Sequence, residues 1–336
     1  MRVERIDMDE WADILPAEGI EVFHTPAALS VLGDHVAGDL QLFAGYKGDR
    51  PVGLMPVVVD DRLLSTVVVS PPPGKNVPRL GPITMPTSPK RRKQERVNRR
   101  FTSGVLDEIE NGNPLELFRM VCHVRYTDPR PFVWRDFDVS TKFTYLLDCA
   151  DREPDDVLGS FSKSLRRDIR DADELEITVS REGIGAAREV YERTRERYRE
   201  QGRGFPLPWP FVEDLVSALA DENRARVYTI RDPDGELLTG ITVLYSNETA
   251  YFWQGGTRTV YEDVGLNSYL HWHIIRDIMT DPPRESVHQY DLMGANTERL
   301  CRYKSKFAAA LVPYFVVESG GRTMSLAKRT YSALVR

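Results

Sequence analysis

Apolar positions along the chain recur in two rhythms, the 3.6-residue spacing of helices and the alternation of strands. Trp11-Ala12-Asp13-Ile14-Leu15 predicts a short amphipathic helix. Thr25-Pro26, followed by Ala27-Ala28-Leu29-Ser30-Val31-Leu32, sets an N-cap, a proline at the first helical position and a helix. Residues 40–59 read as a strand, a turn at Gly48 and a second strand that carries Gly53. Val67-Val68-Val69 extends the strand pattern until Ser70-Pro71-Pro72-Pro73-Gly74 stiffens the chain into a loop. A helix with Phe101, Val105, Leu106 and Ile109 on one face comes next, then a strand from Leu115 to Val121.

The second half begins with a helix at Asp155–Leu158 that is expected to continue through Phe161 to Arg170. Glu176–Val179 is a strand, and Ile184 to Gln201 a helix that Gly202 ends. After the rigid Pro206-Leu207-Pro208-Trp209-Pro210 turn comes a helix over Phe211–Leu219. Residues 226–245 then spell a second hairpin, with a turn at Gly235 and a glycine, Gly240, in its second strand. A strand at Thr249–Gln254, a glycine loop, a helix at Ser268–Met279, a strand from His288, a short helix within Glu298–Phe307 and a strand at Val312–Val317 complete the pattern.

The two hairpins make the chain look like two halves of similar design. Gly53 and Gly240 read as hinge glycines of the repeat. The pattern predicts an α/β chain, layered as α+β, with a first domain at 1–148, a second at 149–320 and, at 321–336, a C-terminal helix or tail with packing on the first domain left open.

Composition changes this picture only in places. The 336 residues are 41% hydrophobic, and no run reaches the ~20 apolar residues of a membrane span. A charged start without a signal-peptide core leads to the expectation of a soluble, cytoplasmic protein. Cys122, Cys149 and Cys301 form no CxxC pair and no disulfide framework. His271 and His273 lie about 200° apart around a helix, so they cannot share a metal, and no metal is expected. The net charge of −6 hides a basic run at residues 90–100 and a cationic stripe of Lys163, Arg167 and Arg170. Each alone suits a solvated face; together they favour an anionic substrate, a tRNA or a lipid-linked precursor, and leave peripheral membrane contact open.

Several phrases, in this order, resemble one group of proteins: Phe23-His24-Thr25-Pro26, Val52-Gly53-Leu54-Met55-Pro56, Ser70-Pro71-Pro72-Pro73-Gly74, Phe161-Ser162-Lys163 with Arg166–Arg170, Tyr290-Asp291-Leu292-Met293-Gly294, and Tyr303-Lys304-Ser305-Lys306-Phe307. The chain resembles the GNAT-like, FemAB-like (FemABX) transferases. That resemblance implies two tandem GNAT-like domains, each a mixed, mostly antiparallel sheet flanked by helices, with the working site in the second. It also implies transfer of an acyl, expectedly aminoacyl, group to an amine acceptor, with no tightly bound cofactor. The donor is then an aminoacyl-tRNA or an acyl-CoA.

Glu262-Asp263-Val264-Gly265-Leu266-Asn267 stands where a GNAT enzyme carries its coenzyme A loop. Such loops work because bare backbone N–H groups and a helix N-terminus cradle a pyrophosphate. Here Gly265 is kept, but Glu262 and Asp263 would repel phosphates, which counts against ordinary acetyl-CoA. Tyr303-Lys304-Ser305-Lys306-Phe307 is similar to the family's Phe-Lys-x-x-Phe signature with Tyr in the first place. Lys304 is thereby assigned to the transferred carbonyl or a substrate phosphate, where a fixed ammonium stabilises an oxyanion; the alternative is a solvated lysine. Asp291 is assigned to orient or deprotonate the acceptor amine, and equally could cap a loop. Tyr303, Arg197, Tyr198, Gln254, Asn267 and Tyr269, with Lys163 and Arg167, complete the expected substrate-binding set. Arg193, Arg195 and Arg199 suit a solvated face paired with Glu192, Glu196 and Glu200. An acyl-CoA-dependent acetyltransferase and a non-enzymatic module holding an anionic polymer or membrane remain as alternatives.

Overall fold

The computed structural model describes residues 1–62, 65–85, 87–110 and 115–319; the expected helix at 321–336 lies outside them. In chain order the elements are β1 (Arg2–Ile6), α1 (Met8–Ile14), α2 (Pro26–Asp34), β2 (Asp39–Lys47), β3 (Arg50–Arg62), β4 (Ser65–Ser70), β5 (Ile83–Thr84), α3 (Arg91–Ile109), β6 (Leu115–Val121), α4 (Arg130–Val133) and β7 (Phe137–Asp148). Then come α5 (Pro154–Ser160), α6 (Lys163–Asp173), β8 (Thr178–Glu182), α7 (Ile184–Glu200), α8 (Trp209–Asp221), β9 (Ala225–Arg231), β10 (Leu237–Tyr245) and β11 (Thr249–Gly255). The chain continues through β12 (Val260–Tyr261), β13 (Val264–Gly265), α9 (Leu266–Thr280), β14 (Gln289–Asp291), α10 (Glu298–Lys304) and β15 (Ala310–Ser319). It folds as two units, Phe143–Val312 forming the second and Met1–Lys142, joined by the chain from Pro313, the first.

In the first unit the strands run β1-β2-β3-β4-β6-β15, with β5 paired to β3. Every neighbouring pair is antiparallel except β4–β6. A parallel pair cannot be closed by a tight hairpin, so α3 supplies the crossover. Phe101, Val105 and Leu106 of α3 are buried against Phe43, Met55, Val57 and Phe118. Gly45 and Gly53 face each other across β2 and β3, and a Cβ on either would lie 2.5–2.6 Å from the Phe101 ring. Gly53 is therefore half of a slot for an aromatic ring, not a hinge. Gly48, at φ +63, does serve the tight turn between the two strands.

In the second unit the order is β7-β14-β11-β10-β9-β8, and β11–β14 is its parallel pair. Here α9 is the crossover, burying Leu266, Leu270, Ile274 and Ile278. A Cβ on Gly240 would stand 2.3 Å from Val190 of α7, so this glycine too admits a helix side chain and is not a hinge.

The helix expected from Asp155 to Arg170 is broken. Phe161 adopts extended backbone (ψ 156) and Ser162 caps α6 by accepting from the Leu165 N–H. Leaving the helix lets Phe161 bury its ring edge-on to Trp272 and Phe307, at 5.9 and 5.4 Å. Burying a phenyl ring stabilises by about 2–3 kcal/mol, more than the helical propensity lost.

Candidate active site

The two strands of the parallel pair in the second unit separate at their C-terminal ends. Pairing runs from Thr249–Gln289 to Tyr251–Asp291 and stops, while β11 continues through Phe252, Trp253, Gln254 and Gly255. Beyond that point β11 pairs, among the described residues, with β10 alone, and a bulge at Trp253 breaks the register between Thr242–Gln254 and Val243–Phe252. In open α/β sheets a crevice outside the carboxyl ends of parallel strands is where ligands bind.

Lys304 fills this place. It ends α10, is 6% exposed, and its Nζ donates to the carbonyls of Met293 and, at 3.2 Å, Gly294. Met293 and Gly294 follow β14 with φ of 58° and 54°, two successive left-handed residues whose carbonyls both meet the ammonium. The Phe252 ring lies 5.6 Å from Nζ. Asp291, 1% exposed, accepts at one carboxylate oxygen from Thr144 Oγ1 (2.5 Å) and from the Met293 N–H (2.7 Å). It thus forms the turn that presents the carbonyls to Lys304. Burial pulls the Lys304 ammonium down to about 8, against the opposing pull of the Asp291 charge.

An aromatic wall stands beside the lysine. Tyr303 meets Phe307 edge-on at 5.5 Å, and His271 lies 5.3 Å from Phe307 and 4.8 Å from Phe252. His271 Nδ1 is 2.9 Å from the Tyr290 hydroxyl. Burial first and the Lys304 charge second press His271 down to about 3, so this imidazole is neutral at ordinary pH. The Tyr303 hydroxyl is buried and makes no geometrically sound hydrogen bond; burial pushes its phenol up, with Ser268 the polar side chain that eases it.

Lys304, Asp291 and Tyr303 therefore cluster around the parting of the strands. The other residues singled out from the sequence have partners elsewhere in the unit. Gln254, 4% exposed, donates to Thr194 Oγ1 at 3.0 Å and fastens β11 to α7. Asn267 bridges the loop before α9, donating to the Gly256 carbonyl (2.6 Å) and accepting from the Thr259 N–H (3.2 Å). Tyr269 donates to Asp173 of α6 at 2.7 Å. Arg197 is exposed and paired with Glu200, and Tyr198 packs on Phe205 beneath Arg203. Arg195 and Arg199 pair with Glu192 and Glu196. Lys163 and Arg167 are exposed on α6, whose cap residue Ser162 donates its N–H to the Lys306 carbonyl.

Glu262 and Asp263, at φ 47 and 65, form the exposed tip of the β12–β13 hairpin. The first amide of α9, that of Leu266, is already taken by the Thr259 carbonyl. A cavity of about 690 Å³ lies against α7, lined by Glu192, Arg193, Glu196, Arg199, Phe205 and Glu236 among others, and touches none of Lys304, Asp291 and Tyr303. Among the described residues no group of three His, Cys, Asp or Glu could hold a metal, and no helix is long and apolar enough to cross a membrane.

Phe252, Thr144, Met293 and Gly294 were not singled out in the sequence as contacts of the lysine. Phe252 and Thr144 are ordinary strand residues by pattern, and the carbonyls of Met293 and Gly294 converge through backbone handedness that the Met-Gly pair only hints at.

The strand order, with one parallel pair bridged by a helix in each unit, defines a mixed α/β fold. The comparisons narrow it: residues 159–305 match the model of the acetyltransferase (GNAT) domain. The crystal structure of FemX superposes with a TM-score of 0.69 at 12% identity, covering 94% of this chain and 97% of that one. The structure of L-PGS from Bacillus licheniformis gives a TM-score of 0.54 at 12% identity, covering 98% and 97%. A tandem GNAT protein from the clavulanic acid biosynthesis pathway gives 0.51 at 10% identity, covering 96% and 99%. No curated protein matches the sequence. The chain has the GNAT/FemAB-like fold, with a GNAT domain in its second unit.

Proposed function

We propose that the chain is an N-acyltransferase whose reaction takes place in the second unit, where β11 and β14 part. The observation that carries this reading is Lys304: a buried ammonium, held on two carbonyls, its pKa lowered to about 8, beside aromatic rings where the two strands part. Acyl transfer from an activated ester to an amine asks little covalent help of a protein. It needs orientation and a positive group where the carbonyl oxygen gains charge. In this reading the third N–H of Lys304 meets that oxygen while the carbonyls of Met293 and Gly294 fix the other two. Asp291 holds the turn and supplies the counter-charge through which the acceptor's proton departs. Tyr303 turns its hydroxyl to the bound substrate, and Gln254, Asn267 and Tyr269 brace the walls of the crevice. Arg197, Tyr198, Lys163 and Arg167 form outer contacts for a large donor.

An aminoacyl ester, as in aminoacyl-tRNA, is the favoured donor. The exposed carboxylates of Glu262 and Asp263 and the occupied Leu266 amide disfavour a pyrophosphate at the start of α9. The match to the acetyltransferase domain supports acyl-CoA as the second reading. Purified protein supplied with charged tRNA or with acyl-CoA, and with a panel of amines, tests both. Transfer from charged tRNA supports the favoured donor, and transfer from acyl-CoA alone replaces it. Absence of transfer from either, with calorimetry showing no coenzyme A binding, leaves the non-enzymatic reading. A fully active Lys304→Ala variant would remove the lysine from the mechanism.

A further inference from the structure

Two helices of this chain are rich in arginine, and they treat their charge differently. On α7 each of Arg188, Arg195, Arg197 and Arg199 pairs with a glutamate three or four residues away. On α3 the one carboxylate within the basic run, Glu95, is held by Arg91 and Arg130. Lys93, Arg96 and Arg100 have no ion pair among the described residues. They share one side of the helix and, with Lys47 at the end of β2 and the hydroxyl residues Thr87 and Ser88, line a concavity of about 230 Å³ in the first unit. Among the described residues no carboxylate lines it.

Three physical points distinguish this hollow from an ordinary solvated face. Lys93 lies in the first turn of α3, where the helix dipole already places positive charge, and that turn holds no acidic residue and no side-chain cap. The loop carrying Ser88 is fixed above the helix, since the Ser88 carbonyl accepts from Gln94 Nε2 at 2.8 Å and its hydroxyl accepts from the Lys90 N–H at 3.2 Å. A neighbouring hollow of equal volume, sharing Thr87 and Val97, is neutralised by Glu95 and Asp128 against Arg91 and Arg130. Mutual repulsion among Lys47, Lys93, Arg96 and Arg100 is thus left for something outside the chain to relieve.

We propose that this hollow is a binding site for a soluble oligophosphate group, a di- or triphosphate. Lys93 and Arg100 are seven residues apart, about 10 Å along the helix, so the cations are spread too widely for one phosphate to meet them all. A concavity of about 230 Å³ lined by cations spread over seven residues of helix has room for two or three linked phosphoryl groups. Arg96 and Arg100 supply forked donors for phosphate oxygens, and Lys47 and Lys93 supply point charges.

The test is calorimetric titration of the whole chain with sodium tripolyphosphate, pyrophosphate and orthophosphate at two salt concentrations. One-to-one binding is expected, tighter for tripolyphosphate than for orthophosphate and weaker at high salt. The double variant Lys93→Ala/Arg96→Ala should bind at least tenfold more weakly. The control Arg92→Ala/Arg99→Ala removes the same charge from exposed positions of the same helix outside the hollow, and should change affinity less than threefold. Equal weakening in both doubles would show a diffuse basic field and overturn the site, as would absence of saturable binding. Binding to phosphatidylglycerol vesicles without binding of soluble tripolyphosphate would also overturn it. Thermal melting of each variant confirms that the exposed changes leave the fold intact.

Discussion

The parallel pair β4–β6 in the first unit and the pair β11–β14 in the second have the same topology and opposite interiors. In the first unit the chain closes its own crevice. Leu80 and Gly81 both donate to the Val121 carbonyl at the end of β6, and a Cβ on Gly81 would stand 2.6 Å from Cys122 Cα. Behind this plug the Arg79 Nε–Glu21 pair at 2.6 Å is buried, with a second contact at 3.3 Å and His123 3.5 Å from the same carboxylate. His24 seals the cluster, accepting from the Glu21 N–H and meeting the Leu80 and Gly81 carbonyls. In the second unit the strands separate around a lysine whose near partners are carbonyl dipoles and whose pKa has fallen. The lesson is that one strand arrangement yields a structural knot where charges pair internally, and a candidate reaction centre where a cation is left to meet a substrate.

The comparison is broken most forcefully at Arg79. Arg79→Ala is expected to cost about 3–5 kcal/mol, because it strands a buried Glu21 carboxylate, and to leave the specific activity of folded protein unchanged. Urea titration with an activity assay on the folded fraction checks both halves. Lys304→Met should do the reverse, lowering transfer by about 10²–10³-fold, roughly 3–4 kcal/mol of barrier, while melting remains cooperative. If the two phenotypes were exchanged, the units' roles would be too.

Acid should bear on the knot next. Burial presses His123 down to about 4 and lowers His24. The unfolded chain, near 6.5, then binds more protons than the folded one. Stability is therefore full above about pH 6.5 and lost as pH falls towards 4, by about 3 kcal/mol for His123. Melting from pH 7 to 4 measures this, and His123→Gln should flatten the curve. His271, at about 3, adds a slope of the same sign from the second unit.

The smallest effect is expected at Tyr303. Its hydroxyl is buried without a sound partner, so Tyr303→Phe should be neutral or stabilise by about 1 kcal/mol while raising KM. A loss of stability with unchanged KM would make Tyr303 part of the core.

Much of this was legible in the sequence where the signal is local. Alternation and the turn glycines Gly48 and Gly235 mark the hairpins, and the Tyr303-Lys304 phrase leads to the lysine. Glutamates three and four residues from the arginines foretell the neutral face of α7. What was illegible depends on contacts distant along the chain. Glu21 and Arg79 meet across 58 residues and Thr144 and Asp291 across 147, and no periodicity links them. Phe161 breaks a helix to reach Trp272 and Phe307, and Gly53 and Gly240 are small because of Phe101 and Val190 rather than for bending. The end of β11–β14 pairing at Asp291, where the strands part, is a matter of register that composition does not record.

The central claim is that Lys304 acts as a cation at the parting of the strands, and the pH dependence of transfer tests it most directly. Wild-type kcat/KM should rise as the acceptor amine deprotonates and then fall through about pH 8 as Lys304 loses its proton. Lys304→Arg, which keeps its charge, should lose that alkaline fall even if slower. An alkaline limb near pH 8 that persists in Lys304→Arg, or wild-type activity that climbs through pH 8 without a fall, would contradict the account.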